Sequence, residues 1–598
     1  GLRLTLDSDD GAVIYINGVE VARENLPSDA LDSTTLATDE TSGLGRATRR
    51  IFLIADNTNL VAGDNSIAVE VHQSSARSPA MLFDLSVETY TFQALELIDE
   101  IPFATQVSDV SIGRNPANPD QWVNYASPTP EAPNSGPAVT SLREESTSAD
   151  ISPAAGLSPD SVSVSISAAA GDIYFTLDGS NPNVESSLYS APFELTESTV
   201  VRARVFEPGK VAGEIVTSTY LIGESFASGL PVLSLSAPPE TLFGSQIGIY
   251  GAKNASGGSV HKRVDAPGHL EFFPVDGSEG FAVNGGFRLG GENNWASHAQ
   301  KAFNFATRGK YGDDAITYDL FPGSGIPQFT ALTIREGGDD WSQARLTDGI
   351  FEPLTKETME VEANRIRSAV LFVNGEYWGH YNIRDRWDDN WFFQEYGTND
   401  GAYDRIIAGQ SGADNGTRDD WDALYSFISS NDVNDPQIWA IIESRIEIDS
   451  LIDFVIAESY GRNSSWGGNR EWWRDHRPGS KWRWFIPDMD RTFGNTSNSA
   501  RFADLIDRET TTQHLANSPI FRTRLAQRSA ALMASTLSQN RVHGLIETLG
   551  GATAPEIQRQ LDRWGRPRID DYQDSLDRMK NFASDRSNGF LAEVANEF

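Results

Sequence analysis

The feature that most constrains this chain is a change of texture near residue 229. Up to that point apolar and polar residues alternate in short runs, and glycine, asparagine and aspartate punctuate them. Beyond it, strand-like runs at about 232–236, 284–290, 302–306, 330–335 and 368–373 give way to helical spacing at 345–359, 419–430, 435–444 and 449–460, and across the last hundred residues. Period two with turn chemistry builds β-sandwiches, whereas the second texture needs a sheet with helices packed against it. A chain of 598 residues also exceeds what one hydrophobic core serves, so three or four domains are expected.

Composition narrows the class. With 39% hydrophobic residues and 10% aromatics the chain can fill packed interiors. No apolar run is long enough to span a membrane as a helix. There is no cysteine, which removes disulfides, thiolate metal sites and cysteine nucleophiles. The net charge of -36 is spread along the chain and repels phosphate backbones and anionic lipid heads, so nucleic-acid and membrane-surface roles are disfavoured. Solubility in salty surroundings accounts for such a surface; calcium sites in acidic loops are the sharper alternative.

Four segments follow. Residues 1–92 carry strand-like runs such as Leu2-Arg3-Leu4-Thr5-Leu6 and Val13-Ile14-Tyr15-Ile16, with Asn17-Gly18 placed for a type I′ hairpin turn. This stretch, with Ala68-Val69-Glu70-Val71-His72-Gln73, resembles a jelly-roll module of large bacterial exoproteins. Asp9 and Asp10 form a turn and are the candidate Ca²⁺ ligands. Because Gly1 falls at a strand-like run, the stretch reads as N-terminally truncated, with any export leader absent. Residues 93–149 carry Asp109-Val110-Ser111-Ile112-Gly113-Arg114 and a Pro/Ser/Thr-rich linker, and resemble the end of a lamin-tail-like domain. Residues 150–223 contain Ile173-Tyr174-Phe175-Thr176-Leu177-Asp178-Gly179-Ser180-Asn181-Pro182, a β-rich run ending in turn signals. They resemble the immunoglobulin-like C-terminal domain of chitobiases and hexosaminidases, a spacer or accessory module elsewhere. That likeness alone carries no glycosidase activity.

The chemistry lies in the fourth segment, 229–598. Asn469 closes a polar loop after a helix; the strand-like Lys481-Trp482-Arg483-Trp484-Phe485-Ile486 then leads into Pro487-Asp488-Met489-Asp490-Arg491-Thr492-Phe493-Gly494. A loop amide and paired carboxylates near Phe-Gly are how kinases hold Mg²⁺ on nucleotide phosphates, because Mg²⁺ takes hard oxygen ligands and leaves room for phosphate and water. A solvated turn is the plainer account of the same residues. The tryptophans at 466, 472, 473, 482 and 484 read as packing residues rather than a sugar platform. No P-loop, G-x-S-x-G or H-E-x-x-H string occurs.

Gly479-Ser480-Lys481-Trp482-Arg483-Trp484 followed by Asp-x-Asp and Phe-Gly resembles the CotH kinase family, with Ser480 between the glycine and lysine. Arg288-Leu289-Gly290-Gly291 with Gln300-Lys301-Ala302-Phe303, the block Leu332–Trp341 with Arg345 and Asp348, and Val373-Asn374-Gly375-Glu376-Tyr377-Trp378-Gly379 through Asp385 stand in that family's order. The resemblance implies an α+β, atypical protein-kinase-like domain with a helical C-terminal part behind all-β sandwich modules. It implies ATP with Mg²⁺ or Mn²⁺, held by Asn469, Asp488 and Asp490, with Arg288, Lys301 and Asp385 at the cofactor. The expected product is phosphorylated Ser or Thr on an extracellular or surface protein; localisation is accordingly extracellular or at the cell surface. One departure stands out. Ser464 and Ser465 occupy the place of the catalytic Asp, and Glu471 or Glu458 are the carboxylates left to substitute. The competing expectation is a structural or adhesive surface protein whose kinase-like domain serves binding or self-assembly; an accessory carbohydrate-binding role rests on analogy alone.

Overall fold

The computed structural model describes residues 2–8, 11–28, 31, 35–38, 48–54, 59–72, 83–89, 110–125, 138–139, 144–226, 228–245, 248–250, 265–291, 297–356, 358–410, 412–494 and 501–598. The chain divides into two compact units, Gly1–Gln106 and Val107–Phe598. Asp9, Asp10 and the proline-rich stretch after 125 lie outside the described residues.

The first unit holds two three-stranded sheets. Leu2–Ser8 lies between Thr48–Ile54 and Phe83–Thr89, and Gly11–Ile16 lies between Val19–Glu24 and Ile67–His72. Leu2, Leu4 and Leu6 of one sheet share a core with Ala12, Ile14 and Ile16 of the other, as period-two side-chain placement requires. Asn17 and Gly18 adopt φ of 50° and 80°, the left-handed pair that an I′ hairpin demands.

The second unit begins with the hairpin Ser111–Asn115 and Asn118–Tyr125. A sandwich follows: a three-stranded sheet with Val162–Ala168 at its centre and a five-stranded one containing Asp172–Thr176, Thr199–Phe206 and Val216–Ile222. The sandwich is joined to the next domain by more than a linker. Leu221 shares a cluster with Val232, Val370 and Phe372. Thr219 donates from its backbone N, at 3.2 Å, and from its hydroxyl to the Glu271 carboxylate, and its hydroxyl meets Ser234 at 2.8 Å.

The last domain opens with a closed seven-stranded barrel. Its strands are β1 (Val232–Ser236), β2 (Ala266–Phe273), β3 (Phe281–Leu289), β4 (Phe303–Ala306), β5 (Ala331–Arg335), β6 (Ile366–Val373) and β7 (Glu376–Asp385). They run in the order β1-β2-β3-β4-β5-β7-β6, and parallel pairing of β6 with β1 closes the ring. The β6–β7 hairpin turns at Asn374-Gly375, with φ of 49° and 81°. Phe287, Leu289, Phe303, Phe305, Leu332, Ile334, Tyr381 and Ile383 fill the interior. Alternation therefore puts the intervening residues outside, and register aligns Arg288, Asn304, Thr333 and Arg384 in one row across β3, β4, β5 and β7.

A helical lobe completes the domain. Ile448–Gly461 is almost wholly buried and packs on a sheet that contains Glu471–Asp475 and Arg483–Ile486. Pro519–Ala534, Gln539–Thr553 and Ile569–Glu597 enclose it. The helix read at 449–460 spans Ile448–Gly461 with Glu447 as its N-cap; Asp449 lies in the first turn and pairs with Arg524 at 2.8 Å. The five tryptophans are buried, Trp482 and Trp484 completely. Among the described residues no helix is long and apolar enough to cross a membrane.

Candidate metal and nucleotide cleft

The outer face of β5 and the loop after Arg483–Ile486 meet at a cleft of about 420 Å³. Thr333 and Arg335 enter it from β5, and Asn469, Asp488, Asp490 and Arg491 from the helical lobe. Asp348, Asp488 and Asp490 each offer a carboxylate oxygen within 4.8 Å of the other two. Asp348, in the first turn of Thr347–Lys356, is tied in by the Met489 N–H at 2.6 Å and by Arg384.

Such a concentration of negative charge needs counter-charge, and arginine supplies it. Arg335 Nη2 donates to Asp488 Oδ1 at 3.0 Å and to Asp490 Oδ2, and its Nε stands 3.8 Å from Asp348. Burial works against the guanidinium charge, but Asp488 and Asp490 outweigh it and raise its pKa. Burial lifts Asp488 to about 6 against the pull of Arg335, and Asp490 adds to the rise. Asp490 Oδ2 also accepts the Asp339 N–H at 2.8 Å. That contact needs the loop Gly337-Gly338 in left-handed conformations, φ 117° and 61°. The next residue, Asp340, is buried and accepts from Leu346 N at 2.9 Å and Thr347 N at 3.2 Å.

The sequence-derived candidates divide. Asn469, Asp488 and Asp490 come together, with Asn469 Nδ2 3.3 Å from Asp488 Oδ2. Lys301 does not join them: its ammonium donates to the His298 carbonyl at 2.9 Å and lies over the Tyr250 ring at 5.4 Å. Its neighbour Ala302 lines the cleft instead. Arg288 lines a different cavity. Asp385 is buried and takes the Arg365 N–H at 2.9 Å and its guanidinium at 2.7 Å, outside both cavities. Ser465 faces the cleft, but its hydroxyl donates to Asn463 Oδ1 at 2.8 Å. Neither substitute carboxylate reaches it. Glu471 pairs with Arg405, and Glu458 is fully buried, where desolvation pushes its pKa well above the ordinary value. Sequence reasoning gave no site role to Arg335, Glu336, Asp339, Asp348 or Arg491; the strand alternation of Leu332-Thr333-Ile334-Arg335 was the signal for the first.

The donor set fits a hard divalent cation, since it is built of carboxylates with an amide close by. The volume falls within the range of small-ligand sites. A barrel lobe, a helical lobe and an acidic cleft where they meet define a two-lobed domain of α+β class. Residues 288–589, just over half of the chain, match the family described as CotH kinase protein, and the chain belongs to that family. Residues 153–217 match the chitobiase/beta-hexosaminidase C-terminal domain. No curated protein matches the chain.

Proposed function

We propose that the domain binds ATP with Mg²⁺ or Mn²⁺ in this cleft and transfers the terminal phosphoryl group to a Ser or Thr hydroxyl of an extracellular or surface protein. The observation that carries this reading is the Asp348–Asp488–Asp490 group, of which Asp488 and Asp490 line the cleft. Asp488 and Asp490, with Asn469 beside them, would hold the cation, which supplies charge neutralisation on the phosphates. Arg335 fixes the two carboxylates and places a positive charge at the same wall. With serine at the place of the base, transfer rests on positioning and charge, the larger part of phosphoryl-transfer catalysis.

A second reading has an observation of its own. Arg335 already neutralises the carboxylate pair and Ser465 carries no charge, as suits a domain kept for binding or surface assembly. Thermal unfolding with ATP and Mn²⁺ or Mg²⁺ tests both. Stabilisation of the wild type but not of Asp490→Ala, with labelled phosphate appearing on a protein acceptor, is the expected result. No stabilisation in either protein sinks nucleotide binding, and stabilisation without transfer selects the assembly reading.

A further inference from the structure

A second cavity, of about 310 Å³, opens on the outer face of the barrel beside the cleft. The two share a wall: Asn304 lines the cavity, Thr333 lines the cleft, and the Thr333 hydroxyl donates to Asn304 Oδ1 at 2.9 Å. Three arginines, Arg288, Arg308 and Arg386, line the cavity. In a chain of net charge -36 such a grouping is unexpected from composition.

The acidic residues around it are committed to the fold. Asp388 caps Asp389–Tyr396, accepting the Trp391 N–H at 3.0 Å and the Thr330 hydroxyl at 2.8 Å. Asp389 accepts the Tyr403 hydroxyl at 2.7 Å. Asp265 takes Arg308 at 2.7 Å and stands 3.9 Å from Arg288, beyond hydrogen-bond reach. Among the described residues Arg386 makes no hydrogen bond or ion pair. It is half-buried, and desolvation and the nearby Arg288 lower its pKa against the opposing pull of Asp388 and Asp414. A partly desolvated guanidinium beside a second one is costly unless an anion joins them, and the fork geometry of arginine suits phosphate and carboxylate.

We propose that this cavity is an anion subsite in which Arg386 and Arg288 bind a phosphate or carboxylate group of a ligand reaching the adjoining cleft. The anion comes either from the nucleotide or from an acidic or phosphorylated side chain of the acceptor. Only that choice of source rests on the function proposed above; the subsite itself does not.

Inorganic phosphate, titrated without metal against chloride at matched ionic strength, is the probe. Phosphate-specific stabilisation is expected in the wild type and in Asp490→Ala. It should weaken at least tenfold in Arg386→Gln and Arg288→Gln, whose folding is checked by their unfolding temperatures in chloride. AMP and phosphoserine, added separately, identify the source by which of them loses affinity in Arg386→Gln. Absence of a phosphate effect in the wild type, or its survival in both glutamine variants, overturns the proposal. Loss of the ATP–metal effect alone counts against the cleft and leaves the subsite standing.

Discussion

Gly338 approaches Asp490 so closely that a Cβ on the glycine would stand 2.1 Å from Asp490 Oδ2. The same Cβ would lie 2.2 Å from Arg335 Nη2, so the glycine leaves room for the ion pair that organises the cleft.

Gly338→Ala is therefore expected to disable the site while the fold persists. Its φ of 61° adds strain for any residue with a side chain, roughly 1 kcal/mol or more. The greater effect is displacement of Asp490 and Arg335. Calorimetric titration with Mn²⁺ should show binding weakened at least tenfold, and wild-type affinity would refute the steric argument.

Arg335 should trade stability against metal affinity. Without it, Asp488 and Asp490, which lie within 4.8 Å of each other and of Asp348, lose their nearest counter-charge. Arg335→Ala is expected to lose roughly 3 kcal/mol in chelator, as when one partner of a buried pair is removed. Mn²⁺ should then stabilise the variant more than it stabilises the wild type. An equal gain in both proteins would mean that the arginine and the cation do not share this position.

Glu458 offers a negative prediction. Burial pushes its carboxyl well above the ordinary carboxylate range and favours the uncharged form, whose shape Glu458→Gln reproduces. Transfer activity, where measured, should persist with an unchanged pH profile. Loss of an acid limb in that profile would restore Glu458 as the base.

How much of this was legible in sequence depends on chain distance. Asn469, Asp488 and Asp490 fall in one short stretch, and the antiparallel strands Glu471–Asp475 and Arg483–Ile486 between them force the return that joins the loops. Arg335 lies about 150 residues upstream, and only the register of β5 against its neighbours delivers it to the cleft. Lys301 and Ala302 precede the strand Phe303–Ala306, where no alternation sets their directions: Ala302 lines the cleft, and the Lys301 ammonium turns to the His298 carbonyl. Five of the seven barrel strands were readable from their apolar period, but Ala266–Phe273 was not readable. Nor was the closure of the barrel by β1 and β6, since parallel pairing across more than a hundred residues leaves no local signal.

The contact between the sandwich and the barrel should respond to pH through Glu271. This carboxyl is buried, and desolvation raises its pKa from 4.5 to about 7 against the opposing hydrogen bonds from Thr219. Between those two values the folded state holds a proton that the unfolded chain has released, so stability must fall as pH rises through that window and level off above it. The difference corresponds to about 3 kcal/mol at most. Urea unfolding at pH 5 and pH 8 should show the wild type weaker at the higher pH, and Glu271→Gln, still able to accept from Thr219, should flatten the dependence. A slope that survives in Glu271→Gln would place its origin in another buried carboxyl, and Asp340, raised to about 6 by burial, would be the first to replace.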